Sequence, residues 1–271
     1  MMFFVATLTP FDSRGRVDLP RLRAHILWLS TQGVDGFVPT ASVGEFLYLS
    51  DRERQAVHRT VLDTARGRPV YPCTWDPSPA TTKYLTDAAL EQGASGVLMP
   101  APLYYDLGDS LLESWYRSVH EATELPILAY HDPRHVRSSL SLALYAKLRS
   151  EGVLAGMNDC SGDAHRVKRL CDSDPGAVFV GTDRMLCDAS AINTAGGFIS
   201  SLGNVWPNFC SRIYRGGEIQ LADALNDRVG RLSRAGGLRA MKAMLKMGCR
   251  LPLLAPPRDA WEQLPPSESP Y

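Results

Sequence analysis

The chain has 271 residues, and its 29 basic side chains balance 29 acidic ones. That neutrality leaves no cationic footprint for nucleic acid or an anionic membrane. No apolar run approaches the roughly 20 residues needed to span a bilayer, and the opening Met1-Met2-Phe3-Phe4-Val5-Ala6 lacks the basic stretch and length of a secretory signal.

Short apolar runs alternate with segments of helical period along the chain. Strands are expected at residues 5–9, 36–39, 70–73, 96–99, 127–130, 154–157, 178–181 and 198–201. A first helix opens at Asp18 or Leu19-Pro20, carries Leu22, Ile26 and Leu29 on one face, and closes at Gly33. Ser50-Asp51-Arg52-Glu53 has the form of a capping box, so a second helix runs from there to a stop at Gly67. Further helices are expected at residues 79–92, 110–123, 141–150 and 163–171, then a helical tail at 207–247. The last stretch, with Pro252, Pro256, Pro257, Pro265, Pro266 and Pro270, should have little regular structure.

Eight parallel strands joined by helical crossovers close most simply into a (β/α)8 TIM barrel with a C-terminal helical extension, an α/β fold. The expected division is residues 1–206 for the barrel, with helices and a Pro-rich tail over 207–271 packed on it in the same domain. A doubly wound sheet is the alternative, but no G-x-G-x-x-G follows the first strand. The six cysteines are scattered without a C-x-x-C pair, which predicts reduced thiols in a cytoplasmic protein.

In a barrel the carboxyl ends of the strands carry the site. After the second strand, Ser42, Val43 and Gly44 offer a hydroxyl and a tight turn with exposed backbone amides, suited to a carboxylate. Tyr104 and Tyr105 follow the fourth strand. Tyr130 ends the fifth, where its hydroxyl can reach the barrel mouth for proton transfer, although either position also suits a packed aromatic. The run V-L-A-G-M-N-D-C-S-G-D at residues 153–163 delivers Asn158 and Asp159 at the end of a sixth strand. Gly181-Thr182-Asp183 and Gly196-Gly197-Phe198-Ile199-Ser200 end the last two, and Ser200 is a further binding candidate. Glu45, His131, Asp132, Asp159 and Asp183 lack the spacing of a metal site, and the acidic ones among them read as solvated loop carboxylates, so neither metal nor cofactor is expected.

These motifs in this order resemble the dihydrodipicolinate synthase and N-acetylneuraminate lyase family of (β/α)8 aldolases. Thr9-Pro10-Phe11-Asp12 with Gly15 resembles the family's T-P-F-D-x-x-G, and Ser42-Val43-Gly44-Glu45 its T-T-G-E. Tyr104-Tyr105 resembles P-Y-Y, residues 125–130 resemble L-P-I-I-L-Y, and residues 156–163 resemble G-I-K-D-S-S-G-D. The resemblance implies a small carboxylate or carbonyl substrate, a homodimer or homotetramer, and a hydroxyl relay of Tyr130, Ser42 and Tyr105, with Tyr105 reaching a neighbouring subunit. It also implies a Schiff-base lysine at position 158, where this chain has asparagine, whose delocalised amide nitrogen is not a nucleophile. The five lysines, Lys83, Lys147, Lys168, Lys242 and Lys246, are all expected in helices on the outside of the barrel or in the tail. The family's carboxylate-binding arginine aligns near His135, with Arg134 and Arg137 as substitutes.

The expected function is therefore lyase-like: aldol or retro-aldol, hydration or dehydration, or cyclisation of a 2-oxo acid or related carbonyl compound. Tyr130 and Ser42 would move protons while Asn158 hydrogen-bonds an oxygen. The alternatives are a catalytically silent binding or regulatory paralogue, and an ordinary pyruvate aldolase whose lysine has been replaced to trap substrate.

Overall fold

The computed structural model describes residues 2–190, 192–250 and 264–270. Among the described residues seven strands form one parallel sheet: β1 (Met2–Ala6), β2 (Gly36–Val38), β3 (Val97–Pro100), β4 (Ile127–His131), β5 (Gly156–Asp159), β6 (Val178–Val180) and β7 (Gly197–Ser200). Their spatial order is β2-β1-β7-β6-β5-β4-β3. The gap between the two outer strands is closed by residues 69–73. Phe37 N donates to Pro69 O (3.0 Å) and Tyr71 N to Phe37 O (2.9 Å) on one side, and Leu98 N donates to Pro72 O (3.0 Å) on the other. The third strand expected at 70–73 is thus present only as isolated parallel bridges. Pro69 and Pro72 lack the amide protons that a continuous ladder uses.

Two strands are displaced from their expected positions. β1 begins three residues earlier than the apolar run suggested, and β5 runs to Asp159, so Asn158 lies inside a strand instead of just past one. Asn158 pairs in register with Tyr130 of β4 and with Phe179 of β6.

The crossover helices are α1 (Leu19–Thr31), α2 (Asp51–Thr64), α3 (Pro79–Glu91), α4 (Asp109–Glu121), α5 (Leu142–Ser150), α6 (Ala164–Ser173) and the short α7 (Leu186–Ser190), which the sequence reading had not distinguished. Their starts follow local chemistry. The Asp18 side chain accepts from Arg21 N at 3.0 Å to begin α1, and the Ser50–Glu53 box is closed in both directions at the head of α2. Leu22, Ile26 and Leu29 are buried on the inner face of α1, as the period predicted. The tail supplies α8 (Pro207–Tyr214), α9 (Ala222–Arg234) and α10 (Leu238–Met244).

The amino ends of the strands are plugged. The Phe4 ring lies 5.3 Å from Phe179 and 6.0 Å from Tyr71. Gly197 makes room there, because a Cβ at that position would meet the Phe179 ring at 2.6 Å. Any opening must therefore lie at the carboxyl ends.

Residues 264–270 carry no helix or strand, while Pro252, Pro256 and Pro257 lie outside the described residues. The described tail is nevertheless tied down: Trp206 Nε1 donates to Pro266 O at 2.8 Å, and Glu268 accepts from the amides of Asn208 and Phe209 at the head of α8. None of the described helices is long and apolar enough to cross a membrane.

Candidate active site

After β2 the chain makes a 3-10 turn over Ser42–Gly44, whose first bond runs from Gly44 N to Ala41 O (2.9 Å). The amides of Ser42 and Val43 precede that bond and are left without partners inside the turn. Glu45 follows in the left-handed region at φ 57°. Its buried carboxylate fixes it there: Lys242 Nζ forms a buried ion pair with Oε1, while Oε2 accepts from Arg250 N (2.9 Å). Lys242 also donates to Thr9 O (2.6 Å), with its ammonium 4.4 Å from the centre of the Phe11 ring.

At the carboxyl ends lies a cavity of about 150 Å³ lined by Ser42, Val43, Tyr130, Arg134, His135 and Asn158 among others. It adjoins a wider cleft of about 410 Å³ under Phe46, Leu103 and Leu238. The structure thus brings six of the nine candidate residues to one wall. The other three stand elsewhere. Gly44 is buried behind the turn, with its carbonyl accepting from Thr9 Oγ1 (2.8 Å). Ser200 is fully buried and donates to Asp183 Oδ1 (2.5 Å), and it is the neighbouring Ser201 that reaches the cavity. Tyr105 is 67% exposed on the surface, edge-on to Tyr104 at 5.0 Å.

Two residues that the motifs did not single out for this role complete the wall. Asp132 lies two positions beyond Tyr130, on the same face of the extended chain. It is 1% exposed and accepts from Tyr130 Oη (3.1 Å), Arg134 N (3.1 Å), Arg134 Nε and Nη2 (2.9 Å each) and His135 Nδ1 (2.9 Å). Burial works against its ionisation, but the hydrogen bonds from His135 and Arg134 outweigh it and hold the carboxyl well below the usual carboxylate range. The same contact raises His135 above the ordinary histidine value, against the opposing effect of burial. Burial first, then the nearby Cys160 and Asp132, push the Tyr130 phenol well up, while a hydrogen bond with the Ser42 hydroxyl works the other way. Tyr130 is a firmly protonated donor. Period-two alternation from Tyr130 was the signal that would have found Asp132.

Cys160 is the second addition. It is buried beside Asn158, and burial keeps its thiol well up in pKa and therefore neutral. Asn158 is 3% exposed, and its Oδ1 has no hydrogen-bond partner. Gly181 allows this arrangement, since a Cβ there would lie 2.2 Å from Cys160 Sγ and 2.3 Å from Asn158 Oδ1.

None of the five lysines lines the cavity. Lys83, Lys147 and Lys168 pair with Asp87, Glu113 and Asp172 on exposed helical faces. Lys246 lies in a turn after α10 at φ 51°, not in a helix, and Lys242 faces inward, because Glu45 gives its ammonium a buried counter-charge. The carboxylates considered as metal ligands are committed separately. Asp159 is held by Arg166 (2.8 Å), Asp183 by Ser200 and Ser201, and Glu45 by Lys242. Among the described residues no group of three or more His, Cys, Asp or Glu is placed to hold a metal ion.

The Dihydrodipicolinate synthetase family model matches residues 2–255 of this chain. An uncharacterised DapA-like lyase of Halobacterium salinarum is 30% identical over 243 residues, which span 89% of this chain and 78% of that protein. The 4-hydroxy-tetrahydrodipicolinate synthase of Anaplasma marginale is 31% identical over 238 residues, 85% of this chain and 78% of that one. Among solved structures, dihydrodipicolinate synthase from Aquifex aeolicus has a TM-score of 0.86 at 24% identity, covering 96% of this chain and 94% of its own, a likeness of fold.

Proposed function

The chain belongs to the dihydrodipicolinate synthetase family, and from that premise we propose that it is a lyase-type enzyme acting on a small carboxylate through hydroxyl acid–base chemistry without a lysine imine. The observation that carries this reading is the composition of the cavity wall. Ser42 and Tyr130 are there, the position that resembles the family lysine is Asn158, and no lysine takes its place. Tyr130 donates to Asp132 (3.1 Å) and Ser42 stands on the same cavity wall, so the two hydroxyls can pass a proton to or from an oxygen of the substrate. Val43 and Ser42 contribute backbone amides toward a carboxylate. Arg134 and His135 add positive charge to the rim, which favours an anion. Asn158 hydrogen-bonds the oxygen on the reacting carbon in place of forming a bond to that carbon.

Incubation with pyruvate and borohydride followed by intact mass measurement tests the first half, and no adduct is expected. A stable pyruvyl adduct refutes it. Turnover of 2-oxo and hydroxy-oxo acids tests the second half, and Tyr130→Phe should slow it by roughly 100-fold or more. Commitment of the Tyr130 hydroxyl to an already saturated Asp132 favours a second reading, a binding or regulatory paralogue, and absence of turnover across the screen would select it.

We also assign the assembly as a homodimer or homotetramer. Leu47, Tyr48, Tyr84, Tyr104, Tyr105 and Leu111 are all exposed large apolar side chains, a liability in a monomer. Light scattering tests this, and a monomer removes Tyr105 from any relay.

A further inference from the structure

We infer that the molecule taken at the barrel mouth carries an apolar substituent, a branched alkyl chain or a ring, beyond its carboxylate head, and that the cleft under Phe46, Leu103 and Leu238 is the seat of that group. This rests on the reading above that a small carboxylate occupies the neighbouring cavity, and it specifies what else that molecule carries.

Two observations carry the inference. The first is continuity. Ser42, Val43, Tyr130 and His135 line both the cavity of about 150 Å³ and the cleft of about 410 Å³. A carboxylate held near the Ser42 and Val43 amides and the His135 charge therefore stands at the entrance of the cleft, and the rest of the molecule has room there. The cavity alone is smaller than the roughly 300–1,000 Å³ usual for ligand sites, whereas the cleft falls inside that range.

The second is the chemistry of the cleft wall. Cys73, Pro100 and Val136 are its buried apolar members, and Phe46, Leu103 and Leu238 are half-buried. Its charged members are already committed: the Glu45 carboxylate to Lys242 and Arg250 N, and His135 Nδ1 to Asp132 at 2.9 Å. Burial pushes the Cys73 thiol up, so it is uncharged. Among the described residues, no side chain lining the cleft holds a buried nitrogen or oxygen without a partner. A polar substituent moving in would give up its hydration with little to replace it, while an apolar one releases water from both surfaces. The other side of the mouth differs: an opening of about 300 Å³ there is bordered by Thr182, Arg184 and Ser233, where a polar chain would fit instead.

The test uses acids with a common 2-oxo carboxylate head. 5-Methyl-2-oxohexanoate and 2-oxoglutarate share one skeleton, ending in two methyls or in two carboxylate oxygens, and pyruvate is the head with a single methyl. Binding of each to the full chain is measured by calorimetry. A buried methylene is worth about fourfold in affinity, so the added carbons, less the freedom the chain loses, should make the branched acid bind about tenfold or more tighter than either of the others. Leu103→Asn and Leu238→Asn, close to leucine in shape but polar, should each narrow that ratio by about threefold or more, and a ratio of ligands on one protein is insensitive to partial misfolding. Pyruvate binding with no gain from the branched chain, or 2-oxoglutarate binding tightest, overturns the inference and leaves the carboxylate reading intact. A gain that neither variant narrows places the chain outside the cleft and overturns it too. So does a gain seen only in protein dilute enough to be monomeric, which would mean that a second copy covers the cleft. Binding of none of the three acids overturns both readings.

Discussion

Gly181→Ala puts the packing behind Asn158 to a quantitative test. The added methyl would sit 2.2 Å from Cys160 Sγ and 2.3 Å from Asn158 Oδ1, where non-bonded contacts settle near 3.5–4.0 Å, so each neighbour must move by roughly 1.2 Å or more. The backbone at 181 cannot simply retreat, because its amide donates to Asp159 O at 2.8 Å. Overpacking of this kind costs about 1–3 kcal/mol, and two simultaneous clashes place it toward the upper end. At about 2–4 °C per kcal/mol for a chain of this size, thermal unfolding should fall by roughly 4–12 °C. Asn158→Ala removes one of the two clashing groups, so in a double-mutant cycle the pair should be less destabilised than the sum of the singles by about 0.5–3 kcal/mol. A Gly181→Ala protein that melts with the parent, or strict additivity in the cycle, would refute the claim that Gly181 is what leaves space for the Asn158 amide.

The remaining predictions concern charge and capping. Asp132→Asn removes the group that raises His135, so the His135 imidazole titration followed by NMR should move from above 6.5 down toward that ordinary value; an unchanged midpoint would separate the two residues. Because the folded value is raised, His135 contributes stability fully present below about pH 6.5 and lost as pH rises through the folded midpoint, and that dependence should vanish in the same variant. Asp132, held low, contributes stability present above about pH 3.9 and lost as pH falls through its folded value. Lys242→Met leaves the Glu45 carboxylate buried without its ammonium and should cost about 3–5 kcal/mol in denaturant unfolding. Ser50→Ala opens the capping box of α2 and should cost about 1 kcal/mol by the same measurement.

The helices and the parallel strand rhythm were legible because they rest on local rules. The capping box at Ser50, the apolar spacing of α1 and the serine cap of α5 need only neighbours within four residues. The third strand was legible as an apolar run but not as a bridged segment, since Pro69 and Pro72 alter which backbone donors exist without altering the pattern of hydrophobicity. At the site, the resemblance located Ser42, Tyr130 and Asn158 but was silent on Asp132, because a carboxylate two residues after a tyrosine acquires meaning only once the strand is known to be extended there. The choice between Ser200 and Ser201 is of the same kind: it depends on how β7 ends and on where Asp183 sits 17 residues earlier.

What the sequence could not convey is that the geometry of Ser42 is set from the far end of the chain. A left-handed backbone at a residue with a side chain costs of order 1 kcal/mol and persists only where the surroundings over-determine it. At Glu45 those surroundings are Lys242 and the amide of Arg250, about 200 positions away, while the Arg250 guanidinium continues to Tyr48 O (3.0 Å) and to the Glu53 carboxylate at the head of α2. Leu238, one turn before Lys242 on α10, lines the cleft above the same turn. The C-terminal helix therefore does two things at once: it closes the side of the cleft with an apolar residue, and it fixes through one ion pair the turn that carries Ser42 onto the cavity wall. Loosening that pair should alter ligand affinity at the barrel mouth even though Lys242 itself lies outside the cavity wall.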